Sequence, residues 1–249
     1  MRAFLKKELL EAWRTKKIIL LAVIFTLFGI MSPLVAKLTP EIVKMSFGED
    51  FPITEPTSID SWMQFYKNMN QMGIYLFAII FSGTVNQEVS KGTLIPLVTK
   101  GLKRSVILSS KAIMLYLQWI FSVFISFSIT YGYTWYYFPD DKSPYPWLAM
   151  LPLLLFGLFI VSLILLASTI TKNQFEALLI MIGVIIVGYL ANLFEVVKNW
   201  NPISLIGENM SILTDRTVLL DLLPSLILTL ALSVLFLLWS TMIFRNKKL

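Results

Sequence analysis

The sequence predicts an all-α integral membrane protein with six transmembrane helices and both termini in the cytoplasm. Composition, the length of the uncharged runs and the placement of Lys and Arg carry that expectation. Hydrophobic residues make up 57% of the 249 and charged residues 14%, whereas soluble domains carry roughly 25% charged residues. Six stretches contain no Asp, Glu, Lys or Arg: Ile18–Ala36, Asn68–Gln87, Ala112–Pro139, Ser143–Thr171, Ala177–Phe194 and Leu222–Phe244. A helix rises about 1.5 Å per residue and the hydrocarbon layer is about 30 Å thick, so a span needs roughly 20 apolar residues. Barrel strands would show short alternating segments instead.

On this basis the spans are placed at 18–36, 70–87, 112–138, 147–171, 175–194 and 222–244 of a single transmembrane domain, 1–249. The second window opens on Asn68, Asn70 and Gln71, so its apolar part begins near Met72. One side of the membrane receives Arg2, Lys6, Lys7, Arg14, Lys16 and Lys17, the cluster from Lys91 to Lys111, Lys172, and the terminal Arg245, Lys247 and Lys248. The other receives only Lys37, Lys44, Lys67, Lys142, Lys198 and Arg216. Excess Lys and Arg marks the cytoplasm, which puts both ends inside. The first apolar run is long enough to remain as a span and signal anchor rather than a cleaved signal peptide.

Residues 2–17 read as an amphipathic interface helix. Leu5, Leu9, Leu10, Ala12 and Trp13 share one side, and Lys7, Glu8, Glu11 and Arg14 the other, with Phe4 and Lys6 out of pattern. The outer segment 37–67 is broken by Pro40, Pro52, Pro56 and Gly48, and Thr39-Pro40-Glu41 has the form of a helix start. A second start signal at Ser58 and Asp60 opens a Pro-free stretch to Ser90. As one helix it would be about 50 Å long, protruding from the membrane or bending near Gly73.

Residues 88–111 form the sizeable cytoplasmic loop. Leu94, Ile95, Leu97 and Val98 are more apolar than a solvated loop needs, and predict a short docking helix. Glu88 ends span two, where it can pair with Lys91 or with the basic N-terminal helix. Tyr131, Tyr133, Trp135, Tyr136, Tyr137, Phe138 and Trp147 form an aromatic belt at the outer interface. The outer segment 195–221, with Trp200, Pro202, Ile203, Leu205, Ile206 and Ile212, predicts re-entrant or interfacial helices.

The chain contains neither Cys nor His. That excludes disulfides, thiolate and imidazole metal sites, and Cys-His or Ser-His nucleophilic pairs. No acidic residue lies deep in a span, which argues against an intramembrane enzyme and an ion-coupled carrier. No Gly-x-x-x-x-Gly-Lys-Ser/Thr occurs, so ATP phosphates have no P-loop here.

The string Glu88-x-x-x-Gly92-Thr93-Leu94, followed by Lys103-Arg104 and Lys111, resembles the type-2 ABC exporter permeases of the short six-span bacterial kind. Ser32-Pro33-Leu34 with Thr39-Pro40-Glu41, and Phe65-Tyr66-Lys67-Asn68, resemble them too. The resemblance implies a membrane-spanning permease subunit of an ATP-binding cassette exporter, carrying an apolar or amphipathic substrate such as a peptide or antibiotic. It implies two copies of a separate ABC ATPase, with ATP and Mg bound there and no cofactor or metal in this chain. It also implies a second permease, identical or related, and a bacterial plasma-membrane location without nucleic-acid contacts. Glu88, Lys91, Gly92, Thr93, Leu94, Leu97, Lys103 and Arg104 would form the ATPase-coupling loop, flanked by Phe4, Leu5, Leu9 and Trp13 of the N-terminal helix. Two alternatives stay open: a secondary transporter or channel, and a non-transporting membrane partner of an ATPase, such as a sensor or immunity component.

Overall fold

A computed structural model describes residues 2–48 and 55–247, and among these all regular structure is helical. Pro52 and Lys248, used above for the outer segment and the C-terminal charge, lie outside the described residues. Among the described residues, five helices are long and apolar enough to cross a membrane. They are α2 (Lys17–Phe47), α7 (Arg104–Tyr137), α8 (Pro146–Ile170), α9 (Gln174–Ala191) and α14 (Leu223–Asn246). α8 is the central post: most of its residues are buried, and α14, α7 and α9 pack around it.

The second window does not form one such helix, and the continuous Ser58–Ser90 helix is not observed. It is split into α3 (Ser58–Asn68), a π-helical turn (Met69–Gly73) and α4 (Ile74–Phe81), followed by a turn and then α5 (Asn86–Ser90). Ser58–Phe81 would be about 36 Å long at about 1.5 Å per residue. Its two ends are fixed at opposite ends of the bundle. Ser61 Oγ lies 2.6 Å from Thr134 Oγ1 near the end of α7, while the Val85 amide donates to Ser168 Oγ at 2.7 Å near the end of α8. α3 begins at Ser58, as expected; Thr57 is its N-cap, and Asp60 closes the capping box by accepting the Thr57 amide at 2.7 Å.

α2 runs through Pro33, as the 18–36 span required, and departs from expectation in continuing without a break through Pro40 to Phe47. Thr39-Pro40-Glu41 therefore does not start a helix. Proline removes one backbone donor and frees the carbonyl four residues earlier. At Pro33 that carbonyl belongs to Gly29, and Thr130 of α7 donates its hydroxyl to it at 3.1 Å. A neighbouring helix thus supplies the missing partner, as membrane interiors require. Close backbone approach permits the contact: a Cβ on Gly29 would lie 2.8 Å from the Ser126 carbonyl oxygen.

Between α9 and α14 the chain makes four short helices: α10 (Glu195–Lys198), α11 (Pro202–Gly207), α12 (Asn209–Thr214) and α13 (Val218–Asp221). α11 and α12 bury Ile203, Leu205, Ile206, Ile212 and Leu213. Asn201 starts α11 by accepting the Ile203 amide at 3.1 Å, and its own amide group donates to the Gly188 carbonyl at 2.7 Å.

Candidate functional site

The end of the bundle that holds both termini also holds the loop between α4 and α7. α1 (Arg2–Arg14) lies across it. Its apolar side chains Leu9, Leu10 and Trp13 point away from the protein, while Phe4 and Ala12 are buried against it and Lys7, Glu8 and Glu11 are partly buried. Of the charged side, Glu8 is largely withdrawn from solvent, Lys7 and Glu11 are partly so and Arg14 stays exposed, and Phe4 belongs to the buried side. Leu5 is half-buried.

What the charged side meets is Lys111. This lysine is 2% exposed and lies in the second turn of α7. Its Nζ donates to Glu8 at 3.1 and 3.2 Å, and lies 2.9 Å from Glu88 Oε1. Lys7 completes the node, with Nζ 3.0 Å from Glu8, 2.6 Å from Glu11 and 3.1 Å from Glu88. Side-chain exposure of Glu8 and Glu88 is only 11% and 13%. Burial disfavours a charged Lys7, yet Glu11, Glu88 and Glu8 outweigh it and raise its pKa. Burial likewise opposes a charged Glu11, but Lys7 and the more distant Lys111 and Lys17 bring its pKa below the ordinary carboxylate value.

Glu88 thus pairs with the N-terminal helix, as one of the two expected arrangements had it, and with Lys111 rather than Lys91. Sequence reasoning named Lys111 in the family-like string and Glu8 and Glu11 on the charged side of α1, but missed that they meet Glu88 and Lys7 in one node. Their signal was Lys111 at a span boundary, facing an N-terminal helix that mixes acids with bases. The carboxylates of Glu8, Glu11 and Glu88 approach within 4.8 Å of one another. That spacing could hold a metal, but Lys7 and Lys111 already supply the positive charge there. The node borders a cleft of about 370 Å³ that also reaches Lys91 and Gln118.

From Glu88 the loop is shaped by two glycine-terminated helices. α5 ends with Gly92 at φ +66°, and the Thr93 and Gly92 amides return to the Glu88 and Val89 carbonyls. α6 (Ile95–Thr99) ends with Gly101 at φ +88°, and the Leu102 and Gly101 amides return to the Leu97 and Val98 carbonyls. Both are Schellman closures, in which glycine takes the left-handed position without a Cβ penalty. Leu94 is fully buried, and Leu97, Val98 and Leu102 pack on the core. The outward side carries Ile95, Pro96, Thr99 and Lys100, with Lys91 and Lys103 exposed at either end.

Arg104 turns inward, donating to the Phe244 and Arg245 carbonyls at 2.8 and 3.0 Å. It holds the end of α14. On the other flank, Asn86 donates to Thr171 Oγ1 at 3.1 Å and to the Asn173 carbonyl at 2.7 Å, and Gln87 donates to Gln174 at 2.8 Å. The loop is therefore held by α1, α7, α14 and the α8–α9 turn.

A family model described as "ABC-2 family transporter protein" matches residues 2–249. The chain is also similar to YxlG, a transmembrane protein of Bacillus subtilis (strain 168) described as uncharacterized. The two are 27% identical over 211 residues, which cover 81% of this chain and 80% of the relative.

Proposed function

This chain belongs to the ABC-2 transporter family, and from that premise we propose that it is the membrane-spanning permease subunit of an ATP-binding cassette exporter. Ser58–Phe81 is then the second of six spans, crossing as helix, π-turn and helix. The excess of Lys and Arg supports a cytoplasmic position for both termini and the loop, in a bacterial plasma membrane. Two ATPase subunits, holding ATP and Mg, press on the 88–104 loop, and a second permease completes the path. Spans free of central charge suit an apolar or amphipathic substrate better than an ion.

The observation that carries this reading is the division of labour in the loop. One side is anchored by Leu94, Leu97 and the Glu88–Lys111–Glu8 node, and the other offers Ile95, Pro96 and Lys100 outward. An anchored helix with an outward apolar ridge suits transmission of a partner's movement. Gly92 and Gly101 set the angle of that helix, while Lys91, Thr93 and Lys103 border the contact. Phe4 and Leu5 seat α1 beside the loop, and Leu9 and Trp13 hold it in the lipid interface.

Co-purification from native membranes tests the assignment. The tagged protein should bring down an ABC ATPase, and Gly92→Val or Leu97→Glu should reduce the yield or its transport coupling without loss of insertion. Recovery without an ATPase, together with ATP hydrolysis indifferent to the protein, would sink the assignment.

A further inference from the structure

At the end of the bundle away from the termini, the start of α3, the end of α7 and the 138–147 connection enclose a cleft of about 430 Å³. Its walls are aromatic. Trp62 is buried at its base, with its ring centroid 6.4 Å from Tyr131, and Tyr131 stands 5.7 Å from Trp147. Trp135 is 75% exposed at the same cleft and has no ring contact among the described residues. An interfacial belt accounts for aromatic rings at this level. It does not account for the two carboxylates among them.

Asp140 and Asp141 both line the cleft, and among the described residues no Lys or Arg does. Among the described residues neither aspartate is in an ion pair. Asp140 accepts only the Ser58 amide at 2.9 Å and the Lys142 amide at 3.3 Å. Aromatic faces are negative, so they repel anions and attract cations. Lys142, next in the chain, acts on Asp140 from outside the cleft lining and offsets one of the two charges, and the remaining negative charge beside tryptophan and tyrosine rings makes a pocket whose field favours positive charge. A small metal ion would have to exchange several oxygen ligands for rings, which hard cations resist. A weakly hydrated organic cation meets no such cost.

We propose that this cleft binds an organic ammonium ion, with Tyr131, Trp135 and Trp147 against its methyl or methylene groups and Asp140 and Asp141 opposite its charge. The cation is free in solution or is the head group of an amphiphile at the membrane interface. The site lies at the end of the molecule opposite the coupling loop and does not depend on which motor drives the chain.

The test uses the full chain in maltoside micelles, which contain no ammonium groups. Choline chloride is titrated against tryptophan fluorescence, with 3,3-dimethyl-1-butanol as the neutral shape-matched control and sodium chloride as the ionic control. Choline should give a saturable change that neither control gives. Because Asp140 also holds the α3 amide, Asp141→Asn and Trp135→Leu are the variants of choice. Each should weaken choline binding about threefold, the scale of one exposed cation–π or charge contact. Tetramethylammonium and dodecyltrimethylammonium separate the two sources. A tenfold gain with the tail assigns the cation to an amphiphile, and equal affinity assigns it to solution. The proposal fails if the neutral alcohol reproduces the choline response, or if both variants bind choline as the parent does.

Discussion

Replacing Lys111 with Met removes the one ammonium group that is almost wholly buried in the terminal node, at nearly constant side-chain volume. The change leaves Glu8 and Glu88 facing each other, both nearly buried, with only the half-exposed Lys7 between them. Removing one partner of a buried ion pair costs about 3–5 kcal/mol. Lys7 still lies 3.0 and 3.1 Å from the two carboxylates, so the expected loss is about 2–3 kcal/mol. At about 1.4 kcal/mol per tenfold, this raises the opening of α1 by about 30- to 150-fold. Hydrogen exchange of the Arg2–Arg14 amides reads that number directly, with α8 as the internal standard. Adding Glu8→Gln and Glu88→Gln to Lys111→Met should recover most of the protection, because the uncompensated charges are then gone. An α1 exchange rate within threefold of the parent, or a triple variant no better than Lys111→Met, would refute the claim that this node clamps α1 to the loop.

Three further outcomes follow from the same geometry. Gly157→Val should lower thermal stability in detergent by about 3 kcal/mol or more, at the top of the overpacking range, because a Cβ there would lie 1.8 Å from Trp119 Nε1; an unchanged melting curve would contradict the close α7–α8 contact. Arg104→Ala should free the last turn of α14 at a cost of about 1.5 kcal/mol, the lower end for charge-assisted hydrogen bonds, read as faster amide exchange near Phe244–Lys247 while α6 keeps its protection. Docking of α1 should be steady from about pH 5 to 10 and weaken in acid. Glu11 has its pKa depressed by Lys7, so its contribution is present above the unfolded value of about 4.3 and is lost as pH falls through the lower folded value. Lys7 is raised, so its contribution survives to strongly alkaline pH; a midpoint of α1 release near neutrality would contradict both.

The features that the sequence made legible and those it hid differ in a physical way. Apolar run length located the helices because the bilayer imposes it on each segment separately. The apolar residues at Leu94 and Leu97 announced a docked loop helix because four large hydrophobes in a solvated turn have no other use. The orientation of α1 was hidden. Periodicity separates an apolar side from a charged one, but says nothing of which meets protein. At a membrane surface lipid takes the apolar side, which leaves Lys7, Glu8 and Glu11 free to turn inward onto Lys111. Pro40 misled for a related reason: local rules count the backbone bond lost, and only the folded chain shows α2 carrying Pro40 as it carries Pro33. The π-turn at Met69–Gly73 carries no recognisable local signal except the polar Asn70 and Gln71 beside Gly73. Arg104 looked like a loop cation because its acceptors, the carbonyls of α14, lie about 140 residues away.

The central claim, that an ABC ATPase drives this chain through the outward side of the 88–104 loop, has a direct measurement. The sequence has no cysteine, so Ile95→Cys creates a single attachment point for a photo-crosslinker at the exposed ridge of α6. Irradiation of native membranes should join this position to an ABC ATPase, with a yield that changes when ATP is added. A control at Met45→Cys, exposed at the opposite end, should capture none. Capture of no ATPase at Ile95, or equal capture at both positions, would contradict the account.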